Sequence, residues 1–285
     1  VGSQCLSNNV NGSNNTGVGV AALSANVSGS GCTAVGFNAL LLSTADANTA
    51  VGSNCLKINT TGINNTGIGR QTLSNNVVGN DLVAVGYNAL INNIGSQNVA
   101  VGSIALASNS SGTDNSALGY SAGTNITTGS SNITIGSNSG ANIVAGSNNI
   151  HIGISGIVDE SNTTRIGQIS GQTVAGGVNV IIDGNGLMGT IVSSVTRKEN
   201  IKDIRTSNIL NLNPVEFNYR DDTLKRKQYG FIAEEVYNIM PELVVHDKDG
   251  KIETVRYNDM ISLLLNVVKR QEEDIKMLYE MVKKN

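Results

Sequence analysis

A glycine returns every sixteen or seventeen residues through the first two thirds of this chain. It stands at Gly2, Gly19, Gly36, Gly52, Gly69, Gly86, Gly102, Gly119, Gly136 and Gly153. A short fixed period means that each unit is one structural step stacked on the next. A longer period of fifty lies on top: VGSQCL at 1, VGSNCL at 51 and VGSIAL at 101. A three-step block has been duplicated.

Each unit reads Asn-Thr-Ala-Val-Gly-x-Asn-Ala-Leu, then a polar Ser/Asn/Gly turn. Gly, Asn, Ser and Thr favour turns and local side-chain bonding over helix continuation. A 16–17-residue period therefore predicts coils of a β-solenoid or β-roll over residues 1–167. Val35 and Leu40 are expected inside, with Ala39 in a tighter corner and Gly36 where backbones approach closely. Ten coils at the ~4.8 Å strand spacing give a rod on the order of 50 Å long. About three inward apolar groups per coil is a thin core against ~1–2 kcal/mol of backbone entropy per ordered residue. Neighbouring chains would bury more, and three suit a fibre. Cys5, Cys32 and Cys55 lack metal-ligand spacing and read as small core residues.

Composition changes abruptly near residue 193. Residues 1–192 hold six acids and three bases; the other sixteen of each follow. A net charge of -3 without a basic stripe does not favour nucleic acid. No apolar run approaches the ~20 residues that span a bilayer. The scarcity of charge and of clustered carboxylates before 193 argues against an enzyme acting on external substrates. The chain opens inside a repeat, as a fragment of something longer would.

Residues 168–192 read as a connector with two short strands, Val178–Ile182 and Leu187–Val192, around Asp183-Gly184-Asn185-Gly186. Then come an extended NPVEFNYRDD, a strand entering a short amphipathic helix in YGFIAEEVYNIM that Pro241 ends, and a hairpin in VVHDKDGKIETVRY. Asp247-x-Asp249-Gly250 lacks the remaining ligands of a calcium loop and reads as a turn. His151 and His246 have no partners suggesting a metal site or a triad, and no cofactor is expected. A helix over 258–284 places Ile261, Val268, Ile275 and Val282 seven apart, with Leu264, Gln271 and Leu278 at the second heptad position. That is a coiled-coil seam with one polar layer at Gln271; the alternative is an amphipathic helix packed on its own domain.

These patterns carry two resemblances. The repeats resemble the heads of trimeric autotransporter adhesins and similar repeats in phage and giant-virus fibres, which implies a trimeric β-roll facing the outside. Residues 193–285 resemble the C-terminal intramolecular chaperone of phage tail spikes and fibres, the endosialidase-type self-cleaving domain. The matching residues are Ser193…Lys198…Asn200-Ile201, Asn213-Pro214-Val215-Glu216-Phe217, Tyr229-Gly230-Phe231-Ile232-Ala233-Glu234-Glu235-Val236, Pro241-Glu242-Leu243-Val244 and Val255-Arg256-Tyr257.

The resemblance implies a trimerising domain that cuts itself free at its own N-terminus. The family's motif, Ser-Asp-x-Arg-Leu-Lys, puts the base five residues after the nucleophile. Lys198 is five after Ser193 and four after Ser194, so Ser193 takes the nucleophile's place and Val192–Ser193 the scissile bond. Ser194, Thr196 and Arg197 depart from the family's Asp, Arg and Leu. Ser-Lys pairs are a variant of nucleophile-plus-base catalysis, and a lysine serves as base only when burial or a nearby cation favours its neutral form. Glu234 and Glu235 match a structural part of the motif.

The expectation is a mainly-β, homotrimeric fibre of a virion: a β-solenoid, then a small α+β chaperone domain acting as a single-turnover serine peptidase on itself. One alternative is a fibre or adhesin, on a virion or a bacterial surface, that trimerises without cutting. Another is a fibre whose repeats bind a host receptor or glycan.

Overall fold

The computed structural model describes residues 1–170, 175–183, 186–205, 208–247 and 249–284. The chain forms two compact units, Val1–Thr173 and Val174–Asn285.

The first unit is the expected β-solenoid, of about nine turns. Its strands are three residues each: β1 Thr16–Val18, β2 Thr33–Val35, β3 Thr49–Val51, β4 Thr66–Ile68, β5 Val83–Val85, β6 Val99–Val101, β7 Ser116–Leu118, β8 Ile133–Ile135, β9 Ile150–Ile152 and β10 Thr164–Ile166. They form one parallel sheet in chain order, with like residues in register, Thr33 on Thr49 and Val35 on Val51.

Such a strand has one inward position, because successive side chains alternate faces. The middle residue takes it. Ala34, Ala50, Ala84 and Ala100 are fully buried, while Val18, Val51 and Ile68 are exposed. This corrects the expectation for Val35, which shares its outward face with Thr33 and is only partly covered. Leu40 and Ala39 are fully buried as expected. Gly36 has φ +136, and a Cβ there would lie 2.6 Å from the carbonyl oxygen of Gly52 in the next coil. Both the turn and the stacking require glycine at that position.

The buried leucines adopt a conformation unusual for them. Leu23, Leu40, Leu56, Leu73, Leu90 and Leu106 all have φ near +50. A left-handed residue costs ~1–2 kcal/mol, about what burying a leucine returns, ~1.5–3 kcal/mol. Hydrogen bonds between coils tip the balance: Leu23 N–H donates to Ala39 O (3.0 Å) and Leu40 N–H to Cys55 O (3.1 Å).

Polar residues that look like turn formers in the sequence also build the interior. Asn26, Asn59, Asn76, Asn93 and Asn109 are fully buried. Within a coil, Asn26 Nδ2 donates to Gly29 O at 2.9 Å; between coils, Asn76 Nδ2 donates to Asn59 Oδ1 at 2.9 Å and Asn109 Nδ2 to Asn93 Oδ1 at 2.6 Å. A second column, including Asn65, Asn98, Asn115 and Asn132, bonds to glycine carbonyls. Buried amides are stable here because their hydrogen bonds are made.

Two coils change this recipe in concert. The leucine column becomes Gly123 and Gly140, and the asparagine column becomes Ile126 and Ile143. A Cβ on Gly123 would lie 3.0 Å from Ile126 Cδ1, so the isoleucine occupies the space the leucine leaves. With Ile126 unable to donate, Asn109 Oδ1 has no partner among the described residues.

In the second unit β11 (Val180–Ile182) and β12 (Met188–Thr190) form an antiparallel hairpin. Asp183 Oδ1 accepts Leu187 N–H at 2.8 Å; Gly184 and Asn185 of the expected turn lie outside the described residues. Further on, β13 (Val215–Phe217) pairs with β14 (Gln228–Gly230), α1 spans Ala233–Ile239, and β15 (Val244–His246) pairs with β16 (Ile252–Val255). In the last hairpin Asp247 Oδ1 accepts the N–H groups of Asp249 and Lys251, each at 2.9 Å. That is a turn, as the sequence suggests; Lys248 lies outside the described residues. Helix α2, Tyr257–Lys283, ends the unit.

Two faces of α2 do different things. Met260 and Val267 are buried in a core with Ile209, Leu212, Val236, Met240 and Leu243, and Leu263 packs against it. Ile261, Leu264, Val268, Ile275, Leu278 and Val282 are all exposed, as is Gln271. The side chains expected to form a seam and those packed in the domain core therefore lie on separate faces of one helix.

Candidate functional site

Ser193 follows the β11–β12 hairpin after two exposed residues, Ile191 and Val192. An extended chain would carry Lys198 roughly 16 Å from Ser193. A single 3₁₀ turn, Val195–Arg197, folds it back. Ser194 caps this turn: its Oγ accepts Thr196 N–H at 3.3 Å and pairs with Thr196 Oγ1 at 2.9 Å. Arg197 N–H donates to Ser194 O (3.0 Å) and Lys198 N–H to Val195 O (3.2 Å). Lys198 Nζ then donates to Ser193 Oγ at 2.8 Å.

The structure thus places the two sequence-selected residues in direct contact and occupies Ser194 otherwise. An ammonium donates across this contact; a neutral amine at the same distance is placed to take the hydroxyl proton. Both residues are exposed in the single chain.

The downstream motifs that carry the resemblance converge in space. Val215 pairs with Gly230 across β13–β14. Phe231 N–H donates to the Tyr257 hydroxyl at 3.2 Å. A Cβ on Gly230 would lie 2.6 Å from that hydroxyl, so the glycine makes room for Tyr257. Arg256 N–H bonds Leu243 O at 2.8 Å, joining the PELV and VRY segments.

Glu234 and Glu235 lie exposed in the first turn of α1, where carboxylates suit the helix dipole. His246 stacks edge-on against Tyr237 at 5.6 Å. Among the described residues no group of His, Cys, Asp and Glu could hold a metal, and no helix is long and apolar enough to cross a membrane. Cys32 and Cys55 are buried and Cys5 half-buried, all as free thiols. Burial pushes the Cys55 thiol up to about 12.

One cluster has no counterpart in the sequence expectations. His151 is fully buried, with Nε2 3.1 Å from Glu160 Oε1, and Arg165 Nε lies 2.6 Å from Glu160 Oε2. Its signal is in the repeat alignment: the inward strand column, elsewhere glycine or alanine, becomes Thr134, His151 and Arg165 in the last three coils.

No curated protein and no solved structure gives a significant match to the chain. Residues 193–245 match the model of a family named as a peptidase, S74, and described as chaperone of endosialidase. That match, behind a β-solenoid, fits a tail-fibre type protein with a C-terminal chaperone domain.

Proposed function

We propose that the chain is a homotrimeric fibre subunit whose C-terminal domain brings three chains into register and then severs itself at Val192–Ser193. The 2.8 Å contact between Lys198 Nζ and Ser193 Oγ carries the reading.

Lys198 takes the hydroxyl proton as Ser193 Oγ attacks the carbonyl carbon of Val192. The C–N bond breaks, the proton passes to the freed amine, and an ester links Val192 to Ser193. Water hydrolyses the ester, leaving the Val192 carboxylate and restoring the hydroxyl. Holding the groups in one chain gives a high effective concentration. Assembly that closes over the exposed Lys198–Ser193 contact would couple cutting to correct trimerisation.

Two exposed surfaces support self-association. The outward strand column presents Val18, Val51, Ile68, Leu118, Ile135 and Ile152 along one face of the solenoid. On α2, every residue from 268 to 283 is exposed, although most helical stability in proteins comes from packing an apolar face. The fibre belongs on a virion surface, or on a bacterial surface in the adhesin variant.

One observation favours a receptor- or glycan-binding role for the rod. The three aromatic residues of positions 1–173, Phe37, Tyr87 and Tyr120, all occupy the column after the glycine and are all exposed. Arg70 lies over the Tyr87 ring at 5.7 Å. Replacing all three aromatics by alanine should abolish cell-surface or glycan binding without changing assembly.

Intact-mass measurement of freshly expressed protein tests the cleavage. Wild type should yield fragments divided between 192 and 193, while Ser193→Ala and Lys198→Ala stay whole. Splitting at that bond in either variant would rule out the dyad.

A further inference from the structure

We infer that Ser194 is a positioning residue for the cleavage: its capping hydrogen bond holds the turn that brings Lys198 onto Ser193. The inference rests on the cleavage proposed above.

Two adjacent serines precede the lysine, and their hydroxyls make different contacts. Ser193 Oγ meets Lys198 Nζ at 2.8 Å. Ser194 Oγ accepts Thr196 N–H at 3.3 Å and pairs with the Thr196 hydroxyl at 2.9 Å. Ser194 itself has φ -66 and ψ 141, extended backbone outside the turn, as an N-cap residue should.

Thr196 N–H is one of the donors that a helical start leaves without an intrahelical partner. Serine supplies the acceptor. The turn contains only Val195, Thr196 and Arg197, and none of them is buried. It therefore has no core contacts to hold it, and its caps carry a large share of its stability. When the turn opens, the backbone between Ser193 and Lys198 lengthens and the amine leaves the hydroxyl. The fraction of time spent in the reactive contact then falls, and the cutting rate falls with it.

Ser194 contributes an acceptor, which serine, asparagine and aspartate all provide and alanine does not. Thr196→Val keeps the backbone N–H and removes only the hydroxyl pairing, so it should cost less than Ser194→Ala. An N-cap worth ~1 kcal/mol corresponds to about a fivefold change in rate.

The test uses the full chain, with wild type, Ser194→Ala, Ser194→Asn and Thr196→Val followed by time-resolved intact mass, and light scattering to verify equal assembly. Ser194→Ala should cut about fivefold slower at an unchanged bond, and Ser194→Asn should restore most of the rate. Equal rates for wild type and Ser194→Ala would overturn the inference, as would failure of asparagine to rescue. Complete loss in Ser194→Ala, with wild-type fragments divided between 193 and 194, would instead make Ser194 the nucleophile. A wild type that never splits at 192–193 removes the cleavage itself, and this inference with it.

Discussion

His151 Nε2 lies 3.1 Å from Glu160 Oε1 inside the last coils of the solenoid, with His151 fully buried and the Glu160 side chain 9% exposed. Every earlier coil but one fills the corresponding inward position with glycine or alanine. The final step is also shorter: Thr164 of β10 pairs with Ile150 of β9, fourteen residues away. A rod of stacked coils must end, and an exposed apolar core with an open sheet edge invites further stacking. Here the core becomes polar as it ends, and Arg165 completes the cluster from the last strand.

Acid should loosen this end first. Burial drives the His151 imidazole below its ordinary 6.5, outweighing the opposite pull of Glu160. Burial alone would raise the Glu160 carboxyl above 4.5, but the Ile157 N–H, Arg165 and His151 together hold it lower. Both shifts have one sign: on acidification the unfolded chain takes up protons before the folded one. The His151 contribution is complete above 6.5 and is lost as pH falls from there through its folded value. The Glu160 contribution follows below 4.5. Limited proteolysis across pH 7.5 to 4 should show cutting around 150–166 appearing as pH drops below 6.5. In His151→Gln the onset should move toward 4.5; an unchanged onset would show that the histidine does not govern it.

The paired exchange at Gly123 and Ile126 makes a double-mutant cycle. Gly123→Leu alone inserts a side chain where Ile126 Cδ1 and Leu106 Cδ2 already stand within 3.0 Å of the new Cβ, and overpacking costs ~1–3 kcal/mol. Ile126→Asn alone gives Asn109 Oδ1 a donor but empties apolar space. The double variant recreates an upstream coil, and the left-handed backbone at 123 (φ +59) already suits the column, where Leu106 has φ +49. Denaturant unfolding should find both single variants destabilised and the double close to wild type, with coupling on the order of 1–3 kcal/mol.

The solenoid was legible because its period is written in glycine, the residue that φ +136 and a 2.6 Å approach demand at Gly36. The facing of Val35 was not legible. A three-residue strand offers too little alternation to tell inside from outside, and a small alanine beside a larger valine reverses the usual size cue. The buried asparagines escaped for a related reason. Their partners are glycine carbonyls and asparagines of adjacent coils, and spacing alone cannot separate such a ladder from a polar turn. At the site, the resemblance to the self-cleaving family, with its five-residue interval, selected Ser193 and Lys198, but the capping by Ser194 depends on a backbone turn that no periodicity announces.

Charge placed on the outward column should separate folding from assembly. Ile68 is 42% exposed in the single chain, so Ile68→Lys removes little intrachain packing. Ala84→Asp, in the fully buried inward column, forces a carboxylate into an apolar interior. Circular dichroism should stay native for Ile68→Lys and collapse for Ala84→Asp. If the outward column is the chain–chain face, light scattering of Ile68→Lys should show weakened association; unchanged association would place the interface elsewhere.

The two faces of α2 allow the same separation within one helix. Met260 and Val267 belong to the domain core, and shortening either to alanine should cost ~2–5 kcal/mol or somewhat less for the smaller valine. Ile275 and Leu278 are 65% and 57% exposed, so Ile275→Asp with Leu278→Asp leaves intrachain packing intact. In a coiled-coil seam the same changes bring like charges together across the axis, where the apolar layers should be. The aspartates should convert trimer to monomer by light scattering without altering the thermal transition of the small domain at low concentration. If cutting depends on assembly, this variant should also remain full length although Ser193 and Lys198 are untouched. Met260→Ala should instead lower the thermal midpoint while leaving the seam side chains in place. A trimer that survives both aspartates would remove the seam from the interface and return the register-setting role to the solenoid face.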